Sequence, residues 1–127
     1  MVDREAPEQR MAFQYMQIKH PLAFEHAFHV PNGGHRRKSV AAKLKAEGVK
    51  AGVPDICITL SRGGYHALWI EMKAKRPHSS SVSVYQKAWL LRLEKAGYKA
   101  TVCRGFPEFR AVIDEYMAMN DTGIVID

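Results

Sequence analysis

A chain of 127 residues with 46% hydrophobic and 25% charged residues has the balance of one globular domain. That balance excludes a disordered tail, a collagen-like fibre and a disulfide-stapled miniprotein. Nineteen Lys and Arg against thirteen Asp and Glu give +6 and a pI near 9.5, a surplus that favours polyanions, nucleic acid first. No stretch approaches the ~18–20 uninterrupted apolar residues of a membrane span. The start of the chain (Asp3, Arg4, Glu5) has no apolar run after its arginine, unlike a signal peptide. Cys57 and Cys103 lie far apart in apolar contexts, which suits reduced core thiols and a cytoplasmic protein. The expectation is a single domain over residues 1–127, with 120–127 as a C-terminal tail.

From Glu8 to Ile18, the residues Met11, Phe13, Tyr15, Met16 and Ile18 recur at largely helical spacing. Pro7 suits the first turn, where its missing N–H would be unpaired anyway. Pro21 closes this region. Phe24, His26, Phe28 and Val30 then alternate with Ala23, Glu25, Ala27 and His29, which predicts a strand. Pro31-Asn32-Gly33-Gly34 is a turn by composition. The run from His35 to Lys50 carries Arg36, Arg37, Lys38, Lys43, Lys45 and Lys50 against Glu47 alone. Within it, Ser39 to Glu47 predicts a short basic helix stopped by Gly48. By charge, the run is either a solvated helix face or a track for phosphates.

The segments 55–60 and 66–73 are β-rich and flank Ser61-Arg62-Gly63-Gly64-Tyr65, which predicts a hairpin with a three-residue loop. Centring the loop on Gly63 sets Ile56 against Ile70 and Ile58 against Leu68, so one sheet face is apolar throughout. A slip of one residue sets Ile56 against Glu71 and mixes the faces, which a half-buried sheet does not tolerate. The favoured register has a chemical consequence. It puts Asp55 opposite Glu71, with Cβ atoms roughly 4.5–5.5 Å apart, and Lys73 on the same face.

Two facing carboxylates repel each other. A divalent cation, a salt bridge to Lys73 or a raised pKa on one acid relieves that repulsion. Oxygen ligands of this kind suit Mg²⁺ or Mn²⁺. Such a metal activates water and holds a phosphoryl oxygen, while Lys73 orients the water or stabilises developing charge. The structural alternative is a surface ion triad at a strand end.

Further on, Ser83-Val-Tyr-Gln86 has capping-box spacing and opens a helix that runs to Ala96 and stops at Gly97. Tyr98 to Cys103 reads as a strand, and Pro107 opens a last helix through Phe109, Val112, Ile113, Tyr116 and Met117. The order α-β-α-β-β-α-β-α predicts an α/β fold, a four-stranded mixed sheet flanked by helices. Trp69, facing Cys57, and Trp89 read as core residues rather than base-stacking ones. His20, His26, His29, His66 and His78 show no partner in the sequence.

Pro54-Asp55, a hairpin and Glu71-Met72-Lys73 together resemble the P-D…(D/E)-x-K signature of restriction-endonuclease-like nucleases. The surroundings are more specific. Pro31 to Gly34, the stretch Ala42 to Ile56, Ile70 to Lys73, Gln86-Lys87-Ala88-Trp89-Leu90 and Ala96-Gly97-Tyr98 resemble the virus-type replication-repair nuclease family, VRR-NUC. The resemblance runs in collinear order from about Glu5 to Tyr116. It implies a restriction-endonuclease-like core in which Asp55 and Glu71 are metal-binding acids and the Met72 main-chain carbonyl is a further ligand. Lys73 matches the catalytic lysine, and Gln86 the glutamine that opens the helix after the site. From the residues alone, Gln86 is equally a capping-box residue. The family's first-helix glutamate lies four residues before a glutamine; Glu5 and Gln9 fit, with Glu8 as a competitor.

Asn32, Gly33 and Gly34 either offer N–H groups to a phosphate or simply turn the chain. Arg36, Arg37, Lys38 and Lys43 would contact DNA phosphates. The implied activity is a Mg²⁺- or Mn²⁺-dependent DNA endonuclease leaving 5′-phosphate ends and selecting branched DNA such as four-way junctions. The setting implied is DNA repair in a phage or a bacterium. Paired incision implies a homodimer, for which Tyr116, Met117 and Met119 offer apolar material unless they cover the sheet. The rivals are a flap, nicking or restriction-like nuclease on the same core and a DNA-binding module without catalysis.

Overall fold

The computed structural model describes residues 3–31 and 37–126. The hairpin takes the register demanded by its apolar alternation. In it β2 (Ile56–Ile58) runs antiparallel to β3 (Leu68–Lys73), with Ile56 opposite Ile70, Cys57 opposite Trp69 and Ile58 opposite Leu68. β1 (Ala27–His29) extends the sheet antiparallel to β2, and β4 (Lys99–Arg104) lies parallel to β3. The strand order is β1-β2-β3-β4. The helices are α1 (Glu5–Lys19), α2 (Pro21–His26), α3 (Lys38–Ala46), α4 (Val84–Lys95) and α5 (Phe106–Ala118). This is the expected α/β architecture, a four-stranded mixed sheet flanked by helices.

The even-numbered face of the hairpin is fully buried. Ile56, Ile58, Leu68, Ile70 and Met72 pack with Ala12 and Met16 of α1, Ala23 of α2, and Phe109, Ile113 and Tyr116 of α5. Cys57, Trp69, Glu71 and Lys73 occupy the opposite face by the two-residue period of a strand. Both cysteines are buried and free, and burial pushes their thiols up to about 11 at Cys57 and about 12 at Cys103.

Two local expectations give way. The alternation from Ala23 to Val30 yields only the short strand β1, because Pro21 opens a helix instead of closing one. The N–H of Phe24 bonds to the His20 carbonyl at 2.9 Å. Ala23 and Phe24 of that helix pack toward the core, as does Ala27 at the start of β1. The first helix starts at Glu5, which sets Pro7 in its first turn as expected, and Asp3 Oδ1 accepts the N–H groups of Glu5 and Ala6 at 3.0 and 3.1 Å.

The hairpin loop is a two-residue turn, not three. Gly63 and Gly64 both have positive φ (57° and 86°), and Tyr65 N–H bonds to the Arg62 carbonyl at 2.9 Å, the type I′ pattern. A tight kink at Thr59, with Leu60 N–H on the Ile58 carbonyl at 2.9 Å, absorbs the odd residue and preserves the strand register.

The last helix covers the sheet and is not free for a partner. Tyr116 is fully buried, and its hydroxyl donates to the Leu60 carbonyl at 2.7 Å. Met117 and Met119 pack against the core. Beyond α5 the chain returns to the turn, where Gly63 N–H meets the Asn120 carbonyl, Thr122 N–H meets the Ser61 carbonyl, and Arg62 pairs with Asp121 at 3.1 Å. Several histidines gain partners that the sequence does not reveal. His20 Nε2 and Tyr15 Oη both reach Asp114 Oδ1, at 2.7 and 2.6 Å, tying α1 to α5. His26 meets Thr59 Oγ1, and His29 Nδ1 meets the Asp55 carbonyl. Among the described residues no helix is long and apolar enough to cross a membrane.

Candidate active site

β2 ends at Ile56 while β3 continues to Lys73, so Glu71 and Met72 extend beyond the end of their neighbour. Asp55 fills the gap with its side chain. Its Oδ2 accepts the Met72 N–H at 2.8 Å, replacing the strand bond that β2 no longer supplies. In an extended strand the N–H and C=O of one residue point to the same side. The Met72 carbonyl therefore faces the same open end as the Asp55 carboxylate.

Glu71 is 3% and Lys73 5% exposed, so both charges are buried. Burial pushes the Glu71 carboxyl up to about 9, reinforced by its hydrogen bond to Asp55 and by that neighbour's charge, while Lys73 pulls it down. Two of the three ways of relieving a facing carboxylate pair can now be compared. Lys73 forms no ion pair with either acid among the described residues; its Nζ donates to Gln86 Oε1 at 3.0 Å. In the metal-free protein the raised pKa of Glu71 carries the burden.

Gln86 does two things at once. Ser83 Oγ accepts the Gln86 N–H at 3.1 Å, and Gln86 Oε1 accepts the Ser83 N–H at 2.9 Å, completing the capping box of α4. The same oxygen holds Lys73, so the cap of α4 also fixes the lysine.

The competition between Glu5 and Glu8 is decided by α5. Its N-cap is Gly105, which has no side chain to cap the helix; a Cβ there would lie 2.9 Å from the Lys75 Cβ. Glu8 reaches across from α1 and accepts the Phe106 N–H at 2.6 Å. Glu5 lies near the acids instead. Its carboxyl is raised chiefly by desolvation, with Lys73 lowering it and Asp55 raising it. Glu5, Asp55, Glu71, Lys73 and Gln86 thus converge at one end of the sheet.

Among the described residues no three His, Cys, Asp or Glu side chains form a ready metal-binding group. The site offers two carboxylates and a main-chain carbonyl. That small hard-oxygen set fits a cation such as Mg²⁺, which keeps several waters and takes only one or two carboxylates. An acid pair with no ion-paired cation among the described residues fits the same group. Chemically, the arrangement can hold a divalent cation beside a fixed ammonium, the equipment for attack of water on a phosphodiester.

Of the residues expected to contact nucleic acid, Arg37, Lys38 and Lys43 lie on or beside α3, exposed, with no bond to the acid cluster. Asn32, Gly33, Gly34 and Arg36 lie outside the described residues. Trp89 is not a core residue. With Tyr85, Val49, Lys45, Lys50 and Arg92 it lines an open pocket of about 670 Å³ between α3 and α4. The sequence spacing of Trp89 within α4 carries no signal for this, because what uncovers it is that α3 buries no residue.

The family model of the VRR-NUC domain matches residues 1–107. A solved structure described as "VRR_NUC domain protein" is 31% identical, with a TM-score of 0.82 over 95% of this chain and 93% of that one. No curated protein matches the chain.

Proposed function

Because the chain belongs to the VRR-NUC family of nuclease domains, we propose that it is a metal-dependent endonuclease that hydrolyses DNA phosphodiesters, leaves 5′-phosphate ends and selects branched DNA. One observation carries the reading: a facing carboxylate pair, buried Glu71 and half-buried Asp55, with which no cation among the described residues forms an ion pair, while the nearby lysine bonds to a neutral amide. Asp55, Glu71 and the Met72 carbonyl would hold Mg²⁺ or Mn²⁺, which when bound lowers the pKa of water and offsets charge on the phosphoryl oxygens. Lys73, fixed by Gln86, orients the attacking water and stabilises charge as it develops. Glu5, open to solvent at the rim, is placed to take up a proton or to anchor a water. The 3′-oxygen leaves.

Branched DNA fits a basic chain that has one such site. A four-way junction needs two opposed cuts and hence two copies, and symmetric dimers are the commonest way to supply them. Tyr116 and Met119 are committed inside the fold. A dimer contact must therefore use other apolar surface, and Ile124, Val125 and Ile126 are 84–93% exposed. The test is cleavage of four-way junction, flap, single-stranded and linear duplex DNA with Mg²⁺ and Mn²⁺, alongside light scattering. Preferred junction cutting by a dimer is expected. Flap cutting by a monomer would replace the resolvase specificity with single incision. No cleavage of any substrate would sink the nuclease mechanism.

A further inference from the structure

The pocket between α3 and α4 is not part of the acid cluster, and its chemistry is of a different kind. Its walls are the rings of Tyr85 and Trp89 and the side chain of Val49; its rim is Lys45, Lys50 and Arg92. The Arg92 guanidinium lies 5.2 Å from the centre of the Trp89 ring, so the pocket joins π and cationic surface. Tyr85 is 66% exposed and Val49 39%, unusual exposure for side chains of this type beside a cavity. A volume of about 670 Å³ lies within the roughly 300–1,000 Å³ of ligand pockets.

The pocket is joined to the catalytic end by backbone contact. Gly52 has φ +89°, and a Cβ there would sit 2.5 Å from the Tyr85 carbonyl carbon and 2.7 Å from the Gln86 nitrogen. The loop that carries Lys50 and Ala51 therefore lies flush on the first turn of α4. Tyr85, in the pocket, and Gln86, which holds Lys73, are consecutive residues of that turn. Gly52 in turn stands three residues before Asp55. A strand bound in the pocket is thus registered against the acids by both of their supports.

We propose that this pocket binds the unpaired nucleotides of a DNA substrate, with bases stacked on Tyr85 and Trp89 and phosphates met by Lys45, Lys50 and Arg92. The proposal rests on the nuclease reading above and deepens it: the pocket recognises nucleotides that leave their stack at a branch point beside the scissile bond. Aromatic faces accept any base, and lysines on the rim match the charge of any backbone, so recognition is of strand state rather than sequence. A fully paired duplex keeps its bases stacked on each other and cannot offer them to the two rings.

The test uses metal-free protein in EDTA, titrated with oligodeoxythymidylate and with a blunt duplex of equal length, followed by fluorescence anisotropy and by tryptophan emission. Single strands are expected to quench emission, and Trp89→Phe to remove most of the change in signal. Tyr85→Ala, at an exposed position, should weaken single-strand binding about tenfold while leaving duplex binding and the melting temperature unchanged. Equal binding of both DNAs, untouched by Tyr85→Ala, would overturn the proposal. So would a Tyr85→Ala protein whose only change is a smaller assembly in light scattering, since the pocket would then seat a second copy of the chain. Retained quenching in a protein that cleaves nothing with Mg²⁺ or Mn²⁺ would uphold the pocket and sink the nuclease mechanism. Efficient cleavage by a protein whose tryptophan emission single strands do not quench would do the reverse.

Discussion

The two ends of the β2–β3 hairpin treat charge in opposite ways. At the turn, Arg62 is met by Asp121 at 3.1 Å, and residues 120–122 return to close the backbone bonds around it. At the other end, Asp55 and Glu71 face each other with no cation among the described residues paired to either, and Lys73 bonds to an uncharged amide. The same two strands are therefore closed for stability at one end and left electrostatically incomplete at the other. A carboxyl whose pKa is displaced this far by burial belongs to a class of groups that concentrates where a ligand or a reaction supplies what is missing. The turn shows that this sheet can match a charge; the acid end shows where it does not.

The largest expected effect comes from removing an acid. Asp55→Ala or Glu71→Ala should reduce cleavage to background in a protein that remains folded. A folded Asp55→Ala protein that cleaves normally would dissolve the contrast between the two ends. Next in size is Lys73→Ala. It should lower turnover on the order of 10²–10³-fold yet leave Mn²⁺ binding intact, as read by calorimetry. Loss of metal binding would make Lys73 an organiser of the acids instead.

At the turn the expectation is reversed, with stability affected and chemistry spared. Gly63→Ala would place a Cβ 2.8 Å from Met119 Sδ at φ +57° and should cost about 1–3 kcal/mol in denaturant unfolding, with kcat unchanged. The pH dependence of the metal-free protein follows from Glu71. Its folded pKa, raised to about 9 from 4.5, makes the folded state bind the extra proton. The stability this contributes is present below pH 4.5 and is lost as pH rises toward 9. The melting temperature should fall across that window, and Glu71→Gln should flatten the fall.

Much of this was legible in the sequence because it depends on short-range patterns. The alternation of Ile56, Ile58, Leu68 and Ile70 is enough to set the register, and the register alone places Asp55 against Glu71. The spacing from Ser83 to Gln86 announces the cap of α4. What stayed hidden depends on distant partners. Nothing local says that Glu8 caps a helix 98 residues away and so leaves Glu5 to the site. Nor does spacing say that the Gln86 oxygen bonds to Lys73 as well as to Ser83. The segment 21–26 fits both periods over its short length, and Pro21 at the first position favours the helix. Trp89 reads as core until α3 is seen to bury nothing above it.

The central claim is that the unmatched acid pair is a divalent-cation site. Titration of metal-free protein with Mn²⁺ at pH 7, in two buffers of different ionisation enthalpy, tests it most directly. Glu71 carries a proton at that pH and must lose it to become a ligand. The account predicts binding with release of a proton, both abolished in Glu71→Gln. Absence of binding to the wild-type protein, or binding that releases no proton and survives in Glu71→Gln, would contradict it.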